Sequence, residues 1–323
     1  MKRALITGIA GFAGSHLAGH LRAAGWEVGG LELPGVPRDN LAGIDGVRVA
    51  GADILDGRAV EDAVASSAPD AVFHLAAVSF VPAAEGSPRG ALDVNAGGTL
   101  VLLEACRRRA PAARVVVVSS SEVYGKVPPG GMPIAETSAP APVNIYAFSK
   151  LCAEEAARCY RRAHGTAAVI LRPFNHIGPR QAPSFVSSSF ARQIAEIEAG
   201  LRGPVIDVGN LDAERDFTDV RDTVRAYALA AERCAPGEAY NVCSGRPRRI
   251  AELLEILLSL SPARIEVRVD PARLRKSDTP IFFGDGAKLA LATGWGPGHP
   301  IEETLRGILD WWRGRVRAGA RTR

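Results

Sequence analysis

The run RALITGIAGFAGSHLAGHLRAAG (residues 3–25) decides the fold. RALIT has the length and apolar density of a short buried strand, GIAGFAG turns the chain, and SHLAGHLRAAG reads as a helix ending in glycine. Gly8, Gly11 and Gly14 stand in the spacing G-x-x-G-x-x-G where the strand gives way to the helix. Glycines at that point let the backbone approach a pyrophosphate, whose charge the helix N-terminus favours. A glycine triplet alone is equally the mark of a mere tight turn. Here WEVGGLEL follows as a second strand and ends in Glu32, 21 residues after Gly11. An acid so placed can bind the ribose hydroxyls of an adenosine. Strand, glycine turn, helix, strand and acid in register predict a dinucleotide site.

Outward from this unit the alternation continues. VRVAGAD, AVFHLAA, RVVVVSS and AAVILRP have the texture of further strands, and GRAVEDAVASS, GTLVLLEACRRR and IYAFSKLCAEEAARCYRRA that of helices between them. The pattern predicts an α/β fold, a doubly wound parallel Rossmann sheet covered on both faces. After Pro173 short strands (PVIDVG, YNVCSG, IEVRVD) alternate with helices and with loops rich in proline, arginine and aspartate. The expected division is 1–173 for a dinucleotide-binding domain carrying the catalytic residues and 174–323 for a smaller C-terminal substrate-binding α/β lobe, with segments crossing back.

A chain of 323 residues, 47% hydrophobic and 23% charged, can bury the core of such a fold as an ordinary globular protein. Its net charge of +4 is slight, and much of the excess lies in the tail WWRGRVRAGARTR, read as a solvated basic end and not a nucleic-acid patch. Cys106, Cys152, Cys159, Cys234 and Cys243 are odd in number and lack metal-site spacing, so reduced thiols and no metal are expected. The apolar stretch in MKRALITGIAG is too short for a signal peptide and runs into the glycine pattern. No apolar run approaches the roughly 20 residues of a membrane helix. A soluble, cytoplasmic protein is expected.

Glu32 also bears on the choice of dinucleotide. A carboxylate would repel a 2′-phosphate, which favours NAD(H). Arg38, six residues on, is the opposing cue that keeps NADP(H) open, although a solvated loop residue is the preferred reading. Asp53 follows the third strand, where a carboxylate can bind the adenine amino group or simply cap a helix.

The apolar run VVVV leads into SSSEVYG (119–125), which sets hydroxyls and one carboxylate at a strand end. Tyr146 and Lys150, in YAFSK, lie four apart on a predicted helix and share a face. A lysine ammonium there is expected to stabilise the phenolate and lower the tyrosine pKa from about 10 toward neutrality. Such a pair is common on exposed helix surfaces. Ser120 changes the reading, because it lies at the strand ends where sheets of this kind bind ligands.

With these motifs in view the chain resembles the extended short-chain dehydrogenase/reductase family over nearly its whole length, through TGIAGFAG, HLAA (74–77), VNAGGT (94–99), SSSEVYG, YAFSK and RPFNHIGP (172–179). The resemblance implies a catalytic triad of Ser120, Tyr146 and Lys150, with Glu122 beside it and Asn95 as a structural helix residue. It implies a cofactor site of Gly8, Gly11, Phe12, Ala13, Gly14, Glu32, Asp53, Ile54, Leu75, Ala76 and Ala77, completed by Tyr146 and Lys150. In the second lobe RPFNHIGPRQAPSFVSSSFARQIAEIEAG and VGNLDAERDFTDVRD are similar to the members that act on GDP-linked 6-deoxy sugars. That similarity implies reduction of a 4-keto group, giving GDP-rhamnose. The substrate would be held by Asn175, Phe185, Val186, Arg192, Asn210, Arg215, Arg275 and Asp278, although the family more often has glutamate at the last position. Taken singly, each of these arginines reads as a surface ion-pair residue. His176 reads as a structural neighbour of Asn175.

Glu122 keeps a second reading open. In the sugar-nucleotide 4,6-dehydratases of the family a glutamate at this strand end removes the proton beside a transient keto group, but threonine usually stands where Ser120 does. A non-catalytic dinucleotide sensor would be expected to lose Tyr146 or Lys150, and both are present. The family also implies a homodimer, paired through the helices GTLVLLEACRRR and the one bearing Tyr146.

Overall fold

Strand β1 (Arg3–Thr7) is followed by β2 (Glu27–Glu32), β3 (Val47–Gly51), β4 (Ala71–His74), β5 (Arg114–Val118) and β6 (Ala167–Pro173). Between them run α1 (Phe12–Ala23), α2 (Gly57–Ser67), the short α3 (Val81–Gly86) and α4 (Pro88–Leu92), then α5 (Gly98–Arg109) and α6 (Ile145–His164). Beyond Pro173 the order is β7 (Asn175–Ile177), α7 (Val186–Glu198), β8 (Val205–Val208), β9 (Glu214–Asp219), α8 (Val220–Arg233) and β10 (Ala239–Val242). The chain then continues through β11 (Pro247–Arg249), α9 (Ile250–Ser259), β12 (Glu266–Val269), β13 (Ile281–Phe282), α10 (Ala287–Thr293) and α11 (Ile301–Arg321). This is a computed structural model, and it describes residues 1–274 and 279–321.

The main sheet has seven parallel strands in the order β10-β6-β5-β4-β1-β2-β3. Alternate residues of its central strands feed two separate cores, as the two-residue period of a strand requires. Ile6, Phe73, Val116 and Leu171 pack with Leu17 and Leu21 of α1 and Val224 and Tyr227 of α8. Leu5, Val72, Val115, Val117 and Ile170 pack on the opposite face with Val60 of α2, Leu102 and Leu103 of α5, and Ala153 and Ala157 of α6. A third core joins α7, α9 and α11 with Ile206, Val208 and Phe217, and defines a smaller lobe. Two small sheets accompany it, β11-β9-β13 with β7 paired to β9, and β12-β8.

After residue 173 the chain crosses back to the main sheet. The stretch YNV, read among the strands of the smaller lobe, is β10, which is buried throughout and pairs with β6 at the edge of the main sheet. The flanking α8 and α10 also pack on the main core. Asp216 of β9 pins this return crossing. Fully buried, its carboxylate accepts from Ser244 N (2.7 Å), Ser244 Oγ (2.6 Å) and Gly245 N (2.9 Å), and from Gly284 N at 3.3 Å.

Behind the strand ends that carry the candidate site lies a buried ion pair. Glu154 of α6 and Arg172 of β6 are 0% and 2% exposed, and they meet twice, Nε–Oε1 at 2.9 Å and Nη2–Oε2 at 2.7 Å. Ser119, at the end of β5, donates its hydroxyl to the same carboxylate at 2.6 Å, and Arg158 adds a contact at 3.0 Å. The Arg172 guanidinium also lies over the Tyr124 ring, 4.8 Å from its centroid. Removing one partner of such a pair strands the other charge in the core, which costs about 3 kcal/mol or more. Glu154→Gln, of nearly the same shape, should therefore lower the unfolding free energy by about 3 kcal/mol, read from the urea midpoint at unchanged slope. A midpoint equal to that of the unsubstituted protein would show that the pair does not hold α6 to the sheet.

Candidate active site

The glycine turn forms a cradle that side chains would fill. Gly8 has φ +69°, and a Cβ there would lie 2.9 Å from the Ala76 amide nitrogen at the end of β4. A Cβ on Gly14 would lie 2.2 Å from the Gly8 carbonyl oxygen, and one on Gly11 3.1 Å from it. Gly11 is the N-cap of α1, and helix geometry leaves the following amides, those of Phe12, Ala13 and Gly14, without partners inside the helix. Three N–H groups at a positive helix end suit an anionic pyrophosphate. The residues present thus fit a dinucleotide.

Glu32 closes the cradle at the end of β2. Its buried carboxylate accepts from the Ala10 amide at 2.8 Å and from its neighbour Leu33 at 3.1 Å. Arg38 is exposed. Asp53 is exposed as well, and it does not cap α2: that cap is Asp56, which accepts from the amides of Arg58 and Ala59, while Asp53 closes a local turn onto Leu55. Ile54 is buried beneath it, and Leu75, Ala76 and Ala77 line the end of β4, half-buried. The Phe12 ring turns toward the second half of the chain and stacks on His176, centroids 5.6 Å apart and planes within 4°.

A chain of hydroxyls and imidazole, which the sequence reading passed over, fixes the β4 end. Thr99 donates to the Asn95 carbonyl at 2.6 Å, so it accepts from His74 Nε2 at 3.0 Å, and His74 Nδ1 meets Thr7 Oγ1 at 2.8 Å. Thr7 Oγ1 in turn receives the Leu75 and Ala76 amides, both at 3.2 Å. Burial, helped by the Lys150 charge, pushes the His74 imidazolium down to about 3, so the ring is neutral.

Next to this cradle stand the residues of the second constellation. Ser120 follows β5 in extended conformation, caps the turn Ser121–Tyr124, and accepts from the Glu122 amide at 3.2 Å. α6 begins with Asn144 as N-cap and presents Tyr146 and Lys150 one turn apart. Asn95 ties this helix to the loop after β4: it exchanges hydrogen bonds with Val78 (2.8 and 3.1 Å) and donates to Ser149 Oγ at 2.8 Å. It is thus a structural clamp within a helical turn.

The electrostatics differ from the expectation for an isolated Tyr–Lys pair. Burial pushes the Tyr146 phenol up to about 12; the hydrogen bond with Ser120 opposes this and the Glu122 carboxylate reinforces it. Burial also lowers Lys150 to about 8, against the attraction of Glu154. The phenol is therefore not drawn toward neutrality: desolvation penalises the phenolate more than its surroundings stabilise it. At neutral pH Tyr146 keeps its proton and is a donor.

The residues expected to hold a substrate are more dispersed. Phe185 caps α7 and meets Phe80 edge-on at 6.0 Å, and Val186 opens that helix. Asn175 is exposed on β7. Asn210 accepts from the Asp212 amide at 3.0 Å, and Arg215 donates to the Glu214 carbonyl at 2.8 Å. Arg192 pairs with Glu196 at 2.7 Å and sits 5.7 Å from the Trp312 ring centroid. Arg275 and Asp278 lie outside the described residues. Among the described residues no group of three or more His, Cys, Asp or Glu side chains is disposed to hold a metal ion, and no helix is long and apolar enough to cross a membrane.

A parallel sheet with a glycine cradle after β1 and a serine–tyrosine–lysine cluster after β5 defines the class, and the chain belongs to the extended short-chain dehydrogenase/reductase family. Within it, residues 5–308 match the family described as GDP-mannose 4,6 dehydratase. Over 318 residues the chain is 39% identical to the GDP-6-deoxy-D-mannose reductase of Pseudomonas aeruginosa, covering 98% of this chain and 99% of that one. The structure of RMD from Pseudomonas aeruginosa complexed with NADPH superposes with a TM-score of 0.86 at 37% identity, over 98% of this chain and 100% of the other. The UDP-glucose 4-epimerase of Thermus thermophilus complexed with NAD gives 0.86 at 32% identity, over 97% and 99%.

The tightest contact in the cradle yields a test that needs no turnover. Gly14→Ala places a methyl group 2.2 Å from a backbone oxygen. It should weaken binding of a nicotinamide dinucleotide, read by fluorescence titration, by at least about tenfold, or about 1.4 kcal/mol. Unchanged affinity would mean that the dinucleotide does not lie over this turn.

Proposed function

We propose that the protein reduces the 4-keto group of GDP-4-keto-6-deoxy-D-mannose to give GDP-D-rhamnose. The observation that carries this reading is 39% identity to a GDP-6-deoxy-D-mannose reductase over nearly the full length of both chains. The site supports it. A bound reduced nicotinamide supplies a hydride. As the hydride reaches carbon 4 of the sugar, the carbonyl π electrons move onto oxygen, and the Tyr146 hydroxyl gives its proton to that oxygen. Ser120, whose side chain lies near enough to oppose the rise of the Tyr146 pKa, would hold the same oxygen. Lys150, buried beside them, carries the charge that steadies the tyrosinate left behind until solvent returns the proton. Substrate recognition is assigned to Asn175, Phe185, Val186, Asn210, Arg215, Arg275 and Asp278. Arg192 is assigned with them: its Nε donates to Glu196, and a guanidinium carries further N–H donors.

For the cofactor we favour NADH over NADPH, because a buried carboxylate locked to the Ala10 amide cannot swing away from a 2′-phosphate. The NADPH in the structure of RMD is the counterweight. If NADPH binds more tightly than NADH, the preference is wrong. We further propose a homodimer through α5 and α6, whose Leu100 and Phe148 are exposed at 45% and 47%, and a cytoplasmic location, which suits the five thiols expected to be reduced.

Dehydration of GDP-mannose is the competing reading, favoured by the retention of Glu122 and by the family description. Parallel assays separate the two: NADH or NADPH oxidation with the keto sugar, and water loss from GDP-mannose with NAD⁺ or NADP⁺. In the first assay Tyr146→Phe should cost at least about a hundredfold in turnover, the scale of a positioned general acid. Glu122→Gln should cost no more than about tenfold, because a ketone already in place needs no proton taken from the neighbouring carbon. Efficient water loss that disappears in Glu122→Gln overturns the reductase reading.

A further inference from the structure

Given a GDP-linked sugar as substrate, as proposed above, we infer that Phe80 is a sugar-binding residue, one half of an aromatic bridge with Phe185 that closes the crevice between the lobes over the hexose. Phe80 ends the loop after β4, and Phe185 opens α7 in the smaller lobe. Their rings meet edge to face, centroids 6.0 Å apart and planes at 66°, within the range in which aromatic pairs attract. Both are half-buried. Among the described residues neither ring enters an apolar core, although Val186, next to Phe185, packs on that of the smaller lobe. Both also stand at helix N-caps, where serine, threonine, asparagine or aspartate would accept a free amide and a phenyl ring cannot. Two phenylalanines at such positions, packed on each other and not in a core, break local rules in the way functional residues do.

The segment that carries Phe80 is pinned on both sides of Tyr146. Upstream, Val78 exchanges hydrogen bonds with Asn95, which donates to Ser149 Oγ at 2.8 Å. Downstream, Glu85 of α3 accepts the Ile145 amide at 2.9 Å. Ile145 and Ser149 flank Tyr146 on α6, so residues 78–85 lie along the turn that presents it. Phe80 is the only aromatic residue in that segment, and from there it reaches the smaller lobe.

Reduction at carbon 4 brings the hexose, not the base, to Tyr146 and Ser120. The part of the ligand nearest Phe80 is therefore the sugar ring. A pyranose is polar at its rim and presents C–H groups on its faces, and a 6-deoxy hexose adds a methyl group. A flat apolar side chain suits such a face, whereas a charged diphosphate is costly to desolvate against a phenyl ring. Because one ring comes from each lobe, the pair forms a single apolar wall across the crevice.

The experiment compares a ligand that carries a hexose with one that does not. The full-length protein, saturated with NADH or NADPH so that no oxidised cofactor can start a reaction, is titrated calorimetrically with GDP-mannose and with GDP. Phe80→Ala should weaken GDP-mannose binding by about tenfold, the scale of one aromatic contact, and leave GDP within about twofold. Phe80→Leu keeps apolar bulk and removes the flat face; it should show the same selective loss, and it serves if the alanine variant lowers the urea midpoint. In a Phe185→Ala background Phe80→Ala should cost GDP-mannose less, because the two rings act as one wall. Equal loss of both ligands, no loss of either, or an undiminished effect in the Phe185→Ala background overturns the bridge and leaves Phe80 a packing contact. Selective loss in a protein that reduces no keto sugar upholds the bridge and overturns the reductase reading. If the unsubstituted protein binds neither GDP-mannose nor GDP, the GDP-sugar reading fails, and the bridge with it.

Discussion

The Glu154–Arg172 pair is the constraint on which the site depends. Ser120 stands at the end of one strand, while Tyr146 and Lys150 stand on a helix that must lie at one angle and one register to face it. Hydrophobic contacts made by the alanines of α6 itself, such as Ala153 and Ala157, allow sliding, because small apolar side chains specify register weakly. A buried bidentate ion pair does not, since any displacement leaves a charge unmet in the core. Glu154 lies one helical turn beyond Lys150, Arg172 lies on the neighbouring strand, and Ser119, which adds the third contact, immediately precedes Ser120. One carboxylate thus locks helix, strand and strand end together.

Two further ties bring the cofactor cradle into the same frame. Asn95 joins the loop after β4 to Ser149 of α6, and the Thr7–His74–Thr99 chain joins the ends of β1 and β4 to α5. The cradle after β1 and the cluster after β5 therefore flank β4, whose end both sets of contacts hold. This is the point where the strand order reverses, and where sheets of this kind offer a crevice for ligands. Asp216 does the corresponding work between the main sheet and the smaller lobe, through donors from two separate crossings.

Much of this was legible in the sequence, for local reasons. The first six strands of the main sheet, the helices α2, α5 and α6, and the glycine turn announce themselves through apolar runs, helical periodicity and glycines, and the structure follows them closely. A return to the main sheet was expected, but not that β10 makes it, because a four-residue strand does not say which sheet it joins. Nor was the direction of the Tyr146 shift, since spacing puts a lysine beside a tyrosine but does not reveal how dry the pair is. Asn144, two positions before Tyr146, was not singled out in the sequence. Its hold on Glu122, 22 residues upstream, required the fold. Arg192, by contrast, pairs with Glu196 at helical spacing, as a surface arginine commonly does.

What the arrangement adds to the family frame is a direction. A phenol that burial keeps protonated is suited to giving a proton to a new alkoxide, which is the demand of carbonyl reduction. The most direct test follows the hydride itself. NADH, or NADPH, carrying deuterium at the transferable position of nicotinamide carbon 4, is incubated with the protein and GDP-4-keto-6-deoxy-D-mannose, and the product is examined by NMR and mass spectrometry. The account predicts one deuterium bound to carbon 4 of the sugar in GDP-D-rhamnose, and none elsewhere in the ring. A product without deuterium at carbon 4, together with water loss from GDP-mannose by the same preparation, would contradict it.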